Sequence, residues 1–484
     1  MKQAKKTSVK VNIFYQMLYE VLALSLPLIT APYISRVLGA EKIGIYSFTY
    51  SIAAYFGMFS MLGVKNHGNR EIAKNREDKN KVSVIFCSIY FIQFLMSCLM
   101  VSVYIIYVST LSVEFKNIFW IQLIYIFSYM LDINWLFFGL ELFKYTSIRN
   151  IIIKIATFAA TFLFVRNSDD LWKYCLVLAV GALASEGFMW ACVRTYIRLG
   201  KPQKDIVLAN IKPMLVMFIP VLATSLYNIM DKIMLGSLSS KIQLGFYENS
   251  EKITNCVKTV ILSVGTVMMP RMSMLAAKND AKKAERYMGL SIEIIMFCAF
   301  SFSFGIAAVA HLFAPLYWGN EFAQCDVLLV GLCVALPFSA FGNFIRTQYM
   351  IPHGMDRQYI TAVIVSAGVN AVANLLLIPL LGAEGAVVGT VIAEGGVCII
   401  QGYFVRKNME LKTYIKKSVP YMGFGMVMYM AVKFLAFELN DSVASLIVQI
   451  LLGATIYVLL TVIYMKYSKN ELLEGLINRY RRRK

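Results

Sequence analysis

Apolar residues fall in long blocks along this chain, separated by short polar stretches. A helix that crosses a bilayer takes about 20 apolar residues, and fourteen blocks approach or exceed that length. They predict spans at 13–35, 43–64, 83–108, 118–140, 148–165, 172–193, 213–236, 246–270, 288–313, 325–350, 359–381, 385–404, 418–438 and 443–465. The block at 246–270 carries several charges, and that at 148–165 is short. The first block reads as a span and not as a cleaved signal. It is long, holds Gln16 and Glu20, and leads into no small-residue cleavage site.

Composition supports the pattern. Of 484 residues, 58% are hydrophobic and only 15% are charged, against about 45–50% and about 25% in soluble domains. Disorder, a fibrous repeat and an ordinary soluble enzyme are excluded.

Charge then fixes an expected orientation. Lys and Arg number 47 against 28 Asp and Glu, a net charge of +19. With the start of the chain on the cytoplasmic side, 35 of the 47 fall in inside segments, 6 in outside loops and 6 within spans. Such asymmetry is the positive-inside pattern, so both termini are expected in the cytoplasm. It also accounts for the basic excess without a nucleic-acid partner.

Little other chemistry is visible. The nine Cys stand singly and mostly inside apolar blocks, with no CxxC and no Cys/His cluster, so small core residues are expected and no metal site. There is no G-x-x-x-x-G-K-[ST], H-E-x-x-H or G-x-S-x-G. No connecting loop is long enough for a soluble catalytic domain, and no enzyme is expected.

One internal similarity stands out. Gly44-Ile45-Tyr46-Ser47-Phe48-Thr49-Tyr50-Ser51-Ile52 follows a span with Pro27 and the pair Leu38-Gly39. Gly245-Phe246-Tyr247-Glu248-Asn249-Ser250-Glu251-Lys252-Ile253 follows a span with Pro220 and the pair Leu235-Gly236. Six spans separate the copies, which describes a parallel duplication of six-helix halves.

The stretch LSLPLITAPYISRVLGAEKIGIYSFTYS from Leu24, the basic loop REIAKNRED (70–78) and NIMDKIMLGSLSSKIQLGFYENSEKI (228–253) resemble the Wzx-type polysaccharide and O-unit flippases. These belong to the oligosaccharide flippases of the MATE-like MOP superfamily. The resemblance covers essentially the whole chain. It implies an all-α integral membrane protein of about 14 transmembrane helices, with two six-helix lobes around a central cavity plus two C-terminal helices. On this reading 1–205 is the N-terminal lobe, 206–405 the C-terminal lobe, and 406–484 the extra helices and a basic cytoplasmic tail. It also implies an undecaprenyl-diphosphate-linked oligosaccharide, moved across the bacterial inner membrane by alternating access for capsule or O-antigen-type polymers. Membrane lipids, a polysaccharide polymerase and assembly proteins are the implied partners.

A diphosphate passing through a bilayer needs inward-facing cations, and intramembrane Lys and Arg are costly enough to be functional candidates. Those candidates are Arg346, Lys258, Lys252, Lys232, Lys154 and Arg36. Each has a plainer reading. Arg36 can sit at the interface beside Glu41, Lys154 can snorkel to the cytoplasm, and Lys252 is four residues from Glu248. Glu251, Asn255 and Lys258 share a helical face, either a cavity wall or an ion-pair network within the lobe. Arg346 has no acidic neighbour in its own span.

Tyr46, Tyr50, Tyr227 and Tyr247 can stack on sugar rings or serve as ordinary packing. The resemblance implies Na+ or H+ as coupling ion, through an acidic residue on the seventh helix, where Asp231 lies beside Lys232. Asn370, Asn374 and Thr390 could add oxygen ligands or simply bond neighbouring helices. No other cofactor is expected. The alternatives are a MATE-like cation-coupled drug exporter, which needs a more acidic cavity, a membrane-embedded polysaccharide enzyme, and a scaffold whose intramembrane charges are all paired.

Overall fold

The computed structural model describes residues 9–436, 439–468 and 470, with the side chains of 9–17, 227 and 228 outside the description. Among the described residues each of the fourteen predicted spans is mostly helical, and no strand occurs. Among the described residues thirteen helical segments are long and apolar enough to cross a membrane; the first of them, Leu18–Asn75, holds the second predicted span and most of the first. Many large apolar side chains point outward. Leu380 is 78% exposed and Phe434 75%, which water would penalise and lipid does not.

By Cα packing the chain divides into two compact units, Met1–Gly236 and Ser237–Lys484. The first unit opens with α1 (Val9–Met61), which merges two helices across Gly39. The glycine adopts φ 75°, a left-handed conformation that costs a Cβ-bearing residue and interrupts the helix. α2 (Val64–Asn75) follows a second left-handed glycine, Gly63 at φ 78°. It occupies a stretch expected to be loop and buries Val64, His67, Gly68 and Ile72 on one face.

Asp78 caps α3 (Lys79–Thr110) by accepting from Asn80 N and Lys81 N. α4 (Lys116–Leu131), α5 (Asn134–Gly139), α6 (Phe143–Phe164) and α7 (Leu171–Tyr196) continue the unit. α8 (Lys204–Asn228) begins before the predicted seventh span and is followed by α9 (Met230–Leu238).

In the second unit Ser240 caps the long α10 (Lys241–Ala277), and Asp280 caps α11 (Ala281–Trp318). α12 (Cys325–Ile345) runs into a π-turn, Arg346–Met350. α13 (Asp356–Leu381), α14 (Ala383–Val405), α15 (Leu411–Ala436) and α16 (Val443–Tyr467) complete it.

The units repeat one packing order. In the first, the helix after the Gly39 break packs on α3 and α4, α4 on α7, and α6 on α7. In the second, α10 packs on α11 and α12, α12 on α14, and α13 on α14. Both long helices start just after the Leu-Gly pairs found in the sequence. The grouping differs from the 205/206 and 405/406 borders expected from the resemblance. α8 packs on α2 and α3 and so lies with the first unit, while α15 and α16 pack on α11 within the second.

Candidate functional site

In the second unit, polar side chains collect on the facing surfaces of α10, α12, α13 and α14. Asn370 and Asn374 are one turn apart on α13, both fully buried, and Asn374 Nδ2 donates to Asn370 Oδ1 at 3.4 Å. Opposite them α14 presents Gly389, whose missing Cβ would overlap Asn374 Oδ1 and sit 3.3 Å from Asn370 Nδ2. Thr390, next along α14, is 3.1 Å from Tyr247 Oη of α10. Tyr247 is buried at 1% exposure. Three predicted residues of α13 and α14 and one predicted aromatic of α10 thus share one region. Asp231, fourth of the proposed ion-coupling set, is buried on α9 of the other unit.

The expected cations divide sharply. Lys252 pairs with Glu248 at 3.3 Å, the i,i+4 bridge read from the sequence. Lys258 reaches across to α14 and pairs with Glu394, an acid with 11% side-chain exposure. Its charge is therefore bound within the unit. Lys417 and Glu293 form a further bridge at 2.8 Å.

Arg346 is different. It sits at the first residue of the π-turn, a helical irregularity common at functional sites. Its Nη2 donates to Asn343 Oδ1 at 2.6 Å and its Nη1 to Tyr359 Oη at 3.2 Å. The guanidinium lies 5.5 Å from the centre of the Tyr359 ring. Nε has no partner, and no carboxylate pairs with Arg346 among the described residues. Nearby, both amide atoms of the fully buried Gln348 are also without partners.

In the first unit, Arg36 is exposed on α1 between Pro32 and the Gly39 break. Lys154 is half-buried on α6. Lys232 is half-buried on α9 beside Asp231. Tyr46 stacks on Tyr50, with centroids 5.6 Å apart, and meets Tyr174 edge-on at 5.0 Å. Tyr50 Oη is 2.7 Å from Tyr125 Oη, which lies 3.3 Å from Tyr129 Oη. These tyrosines form an aromatic chain within the unit. The side chain of Tyr227 lies outside the described residues.

A charged network in this unit escaped the sequence reading. Lys65 on α2 lies in the basic stretch between the second and third predicted spans, and Arg149 on α6 is the second residue of the fifth. Lys65 Nζ lies 3.1 Å from Asp132 Oδ2, and Arg149 Nη1 lies 3.5 Å from Glu186 Oε2 of α7. Asn134 joins the pairs, donating from Nδ2 to Asp132 Oδ1 and to Glu186 Oε2, both at 2.8 Å. Two signals pointed to it. Asp132 and Glu186 are acids inside predicted spans, and Arg149 stands one residue beyond the first residue of another. His67, in the same basic stretch, is 2% exposed and bonds Asn210 of α8.

Apolar helices in two repeating units define a multi-pass membrane protein with the fold of MurJ-like and MATE-like transporters. The chain is similar to the lipid II flippase MurJ in an inward closed conformation, with a TM-score of 0.73 at 13% identity over 95% of this chain and 100% of that one. An outward-facing multidrug resistance transporter of the MATE family and MOP superfamily is more distant, with a TM-score of 0.51, 16% identity and coverage of 84% and 94%.

Sequence carries the assignment further. Residues 9–276 match the polysaccharide biosynthesis protein family, and the chain belongs to that family. A protein of Escherichia coli (strain K12), described as an O-antigen transporter, is 25% identical over 417 residues, 84% of this chain and 99% of the relative.

Proposed function

We propose that the protein translocates an undecaprenyl-diphosphate-linked oligosaccharide from the inner to the outer leaflet of the bacterial cytoplasmic membrane. Both termini then lie in the cytoplasm, and the units work by alternating access. The relative described as an O-antigen transporter, matched over nearly its full length, supports the substrate class.

The single structural observation that carries the reading is Arg346. In the second unit Glu248, Glu394 and Glu293 each face a lysine, while Arg346 keeps a positive charge with only neutral partners. A site for a cationic drug requires the opposite balance. A guanidinium suits a diphosphate because its planar fork can bond two phosphate oxygens at once. The membrane potential adds a driving force, about 4.6 kcal/mol for a dianion leaving a cell at 100 mV, negative inside.

On this account Asn370, Asn374 and Thr390 contribute oxygen atoms toward a coupling Na+, or bond α13 to α14 where H+ is used. The test is complementation of a strain lacking its own flippase for a lipid-linked repeat unit. The expected result is restored surface polymer. Unrestored polymer across strains with different repeat units, with the protein present in the membrane, contradicts the reading.

A further inference from the structure

The first-unit network is built around two carboxylates held by one amide. Asn134 Nδ2 donates to Asp132 Oδ1 and to Glu186 Oε2, each at 2.8 Å. An amide nitrogen's two N–H bonds diverge, so the two accepting oxygens lie roughly 5 Å apart. Like charges at that spacing raise the cost of keeping both ionised.

Their compensation is unequal. Asp132 has Lys65 at 3.1 Å and the backbone N–H of Asn134 at 3.0 Å besides the shared amide. Glu186 has the shared amide and Arg149, whose Nη1 approaches to 3.5 Å. That nitrogen is buried and makes no hydrogen bond, although Arg149 as a whole is only 4% exposed. Arg149 directs its close contacts to neutral oxygens: Nη2 to Asn134 Oδ1 at 3.0 Å and to Asn150 Oδ1 at 2.6 Å, and Nε to Asn150 Oδ1 at 3.1 Å. An orphaned donor aimed at the weaker-held carboxylate marks where the network is incomplete.

Other elements complete the surroundings. Tyr19 of α1 interacts electrostatically with Arg149 and Glu186, and also with its neighbour Glu20. Lys65 of α2 lies 5.5 Å from the centre of the Tyr129 ring of α4. Ser185 of α7 reaches Asn150 Oδ1 at 3.5 Å.

We propose that Glu186 is a proton-binding residue of the first unit, and that its protonation takes the set Lys65, Asp132, Arg149 and Glu186 from zero net charge to plus one. Ionised, Glu186 balances Arg149. Protonated, it leaves Arg149 among neutral acceptors while Asn134 and Lys65 still hold Asp132. An anion then gains affinity for this region, and by reciprocity the anion promotes proton uptake. That consequence rests on the proposed substrate, whereas the proton site stands without it.

The experiment is infrared titration of the full chain in lipid nanodiscs with no substrate added, so the outcome is independent of the flippase reading. The wild type is expected to show a carboxylic-acid C=O band that grows as pH falls. The band is absent from Glu186→Gln. In Asp132→Asn its midpoint falls by about one pH unit or more, because a neighbouring negative charge has gone. Glu186→Asp keeps a titrating band, which separates loss of a carboxyl from loss of the fold. An unchanged band in Glu186→Gln overturns the proposal. So do a wild type with no such band, and loss of the band from Glu186→Asp as well.

Discussion

Glu394→Ala isolates what the Lys258 pair does. The change deletes the carboxylate that faces Lys258 across α10 and α14, where Glu394 is 11% and Lys258 24% exposed at the side chain. Removing one partner of a buried pair costs about 3–5 kcal/mol, because the other charge stays behind without its counter-charge. For a unit of this size each kcal/mol corresponds to about 2–4 °C of thermal stability. The expected fall is therefore about 6–20 °C, read from unfolding of the detergent-solubilised protein.

The companion variant removes both charges, as Lys258→Met with Glu394→Leu. Apolar replacement of a buried pair is often neutral or stabilising, so most of the lost stability should return. A fall below about 2 °C for Glu394→Ala, or a double variant as unstable as the two single losses added together, would refute the reasoning. Lys258 would then have to be reconsidered as a cavity cation.

Arg346→Ala should lower translocation at least tenfold while leaving membrane insertion unchanged, and Arg346→Lys should recover only part, since the paired contacts to Asn343 and Tyr359 need a guanidinium; transport assays alongside membrane quantification check both. Gly385→Ala should destabilise by about 1–3 kcal/mol, because its Cβ would press on the Leu377 carbonyl and the Ile378 nitrogen, backbone that cannot move aside. Gly423→Ala on α15 meets nothing within 4 Å and should stabilise by up to about 1 kcal/mol through helix propensity; thermal unfolding compares the two.

The helices were legible because lipid removes the usual ambiguity of apolar blocks. A segment without water must satisfy its backbone internally, so each block became a helix. The break at Gly39 was foreshadowed by the repeated Leu-Gly pair. Two helical stretches were hidden by charge. α2 reads as a basic loop unless Val64, His67, Gly68 and Ile72 are placed on one face. The start of α8 is masked by Lys204, Asp205 and Lys212, although Val207 and Ile211 pack against the first unit's core.

The candidate site was legible one residue at a time and not as pairs. Lys252 and Glu248 are neighbours on one helix and could be read directly. Lys258 with Glu394, and Arg149 with Glu186, join helices far apart in sequence, which no periodicity reports. Arg346 stands apart for the converse reason: the acid of its own span, Asp326, lies at the far end, and no carboxylate pairs with it among the described residues.

The most direct measurement is reconstitution of the purified protein into liposomes carrying an undecaprenyl-diphosphate-linked oligosaccharide in one leaflet, with the sugar scored by its accessibility to an added lectin. The account predicts that sugar appears in the opposite leaflet with wild-type protein and that Arg346→Ala slows this at least tenfold. Equal rates in liposomes with and without the folded wild-type protein, across matched repeat units, would contradict it.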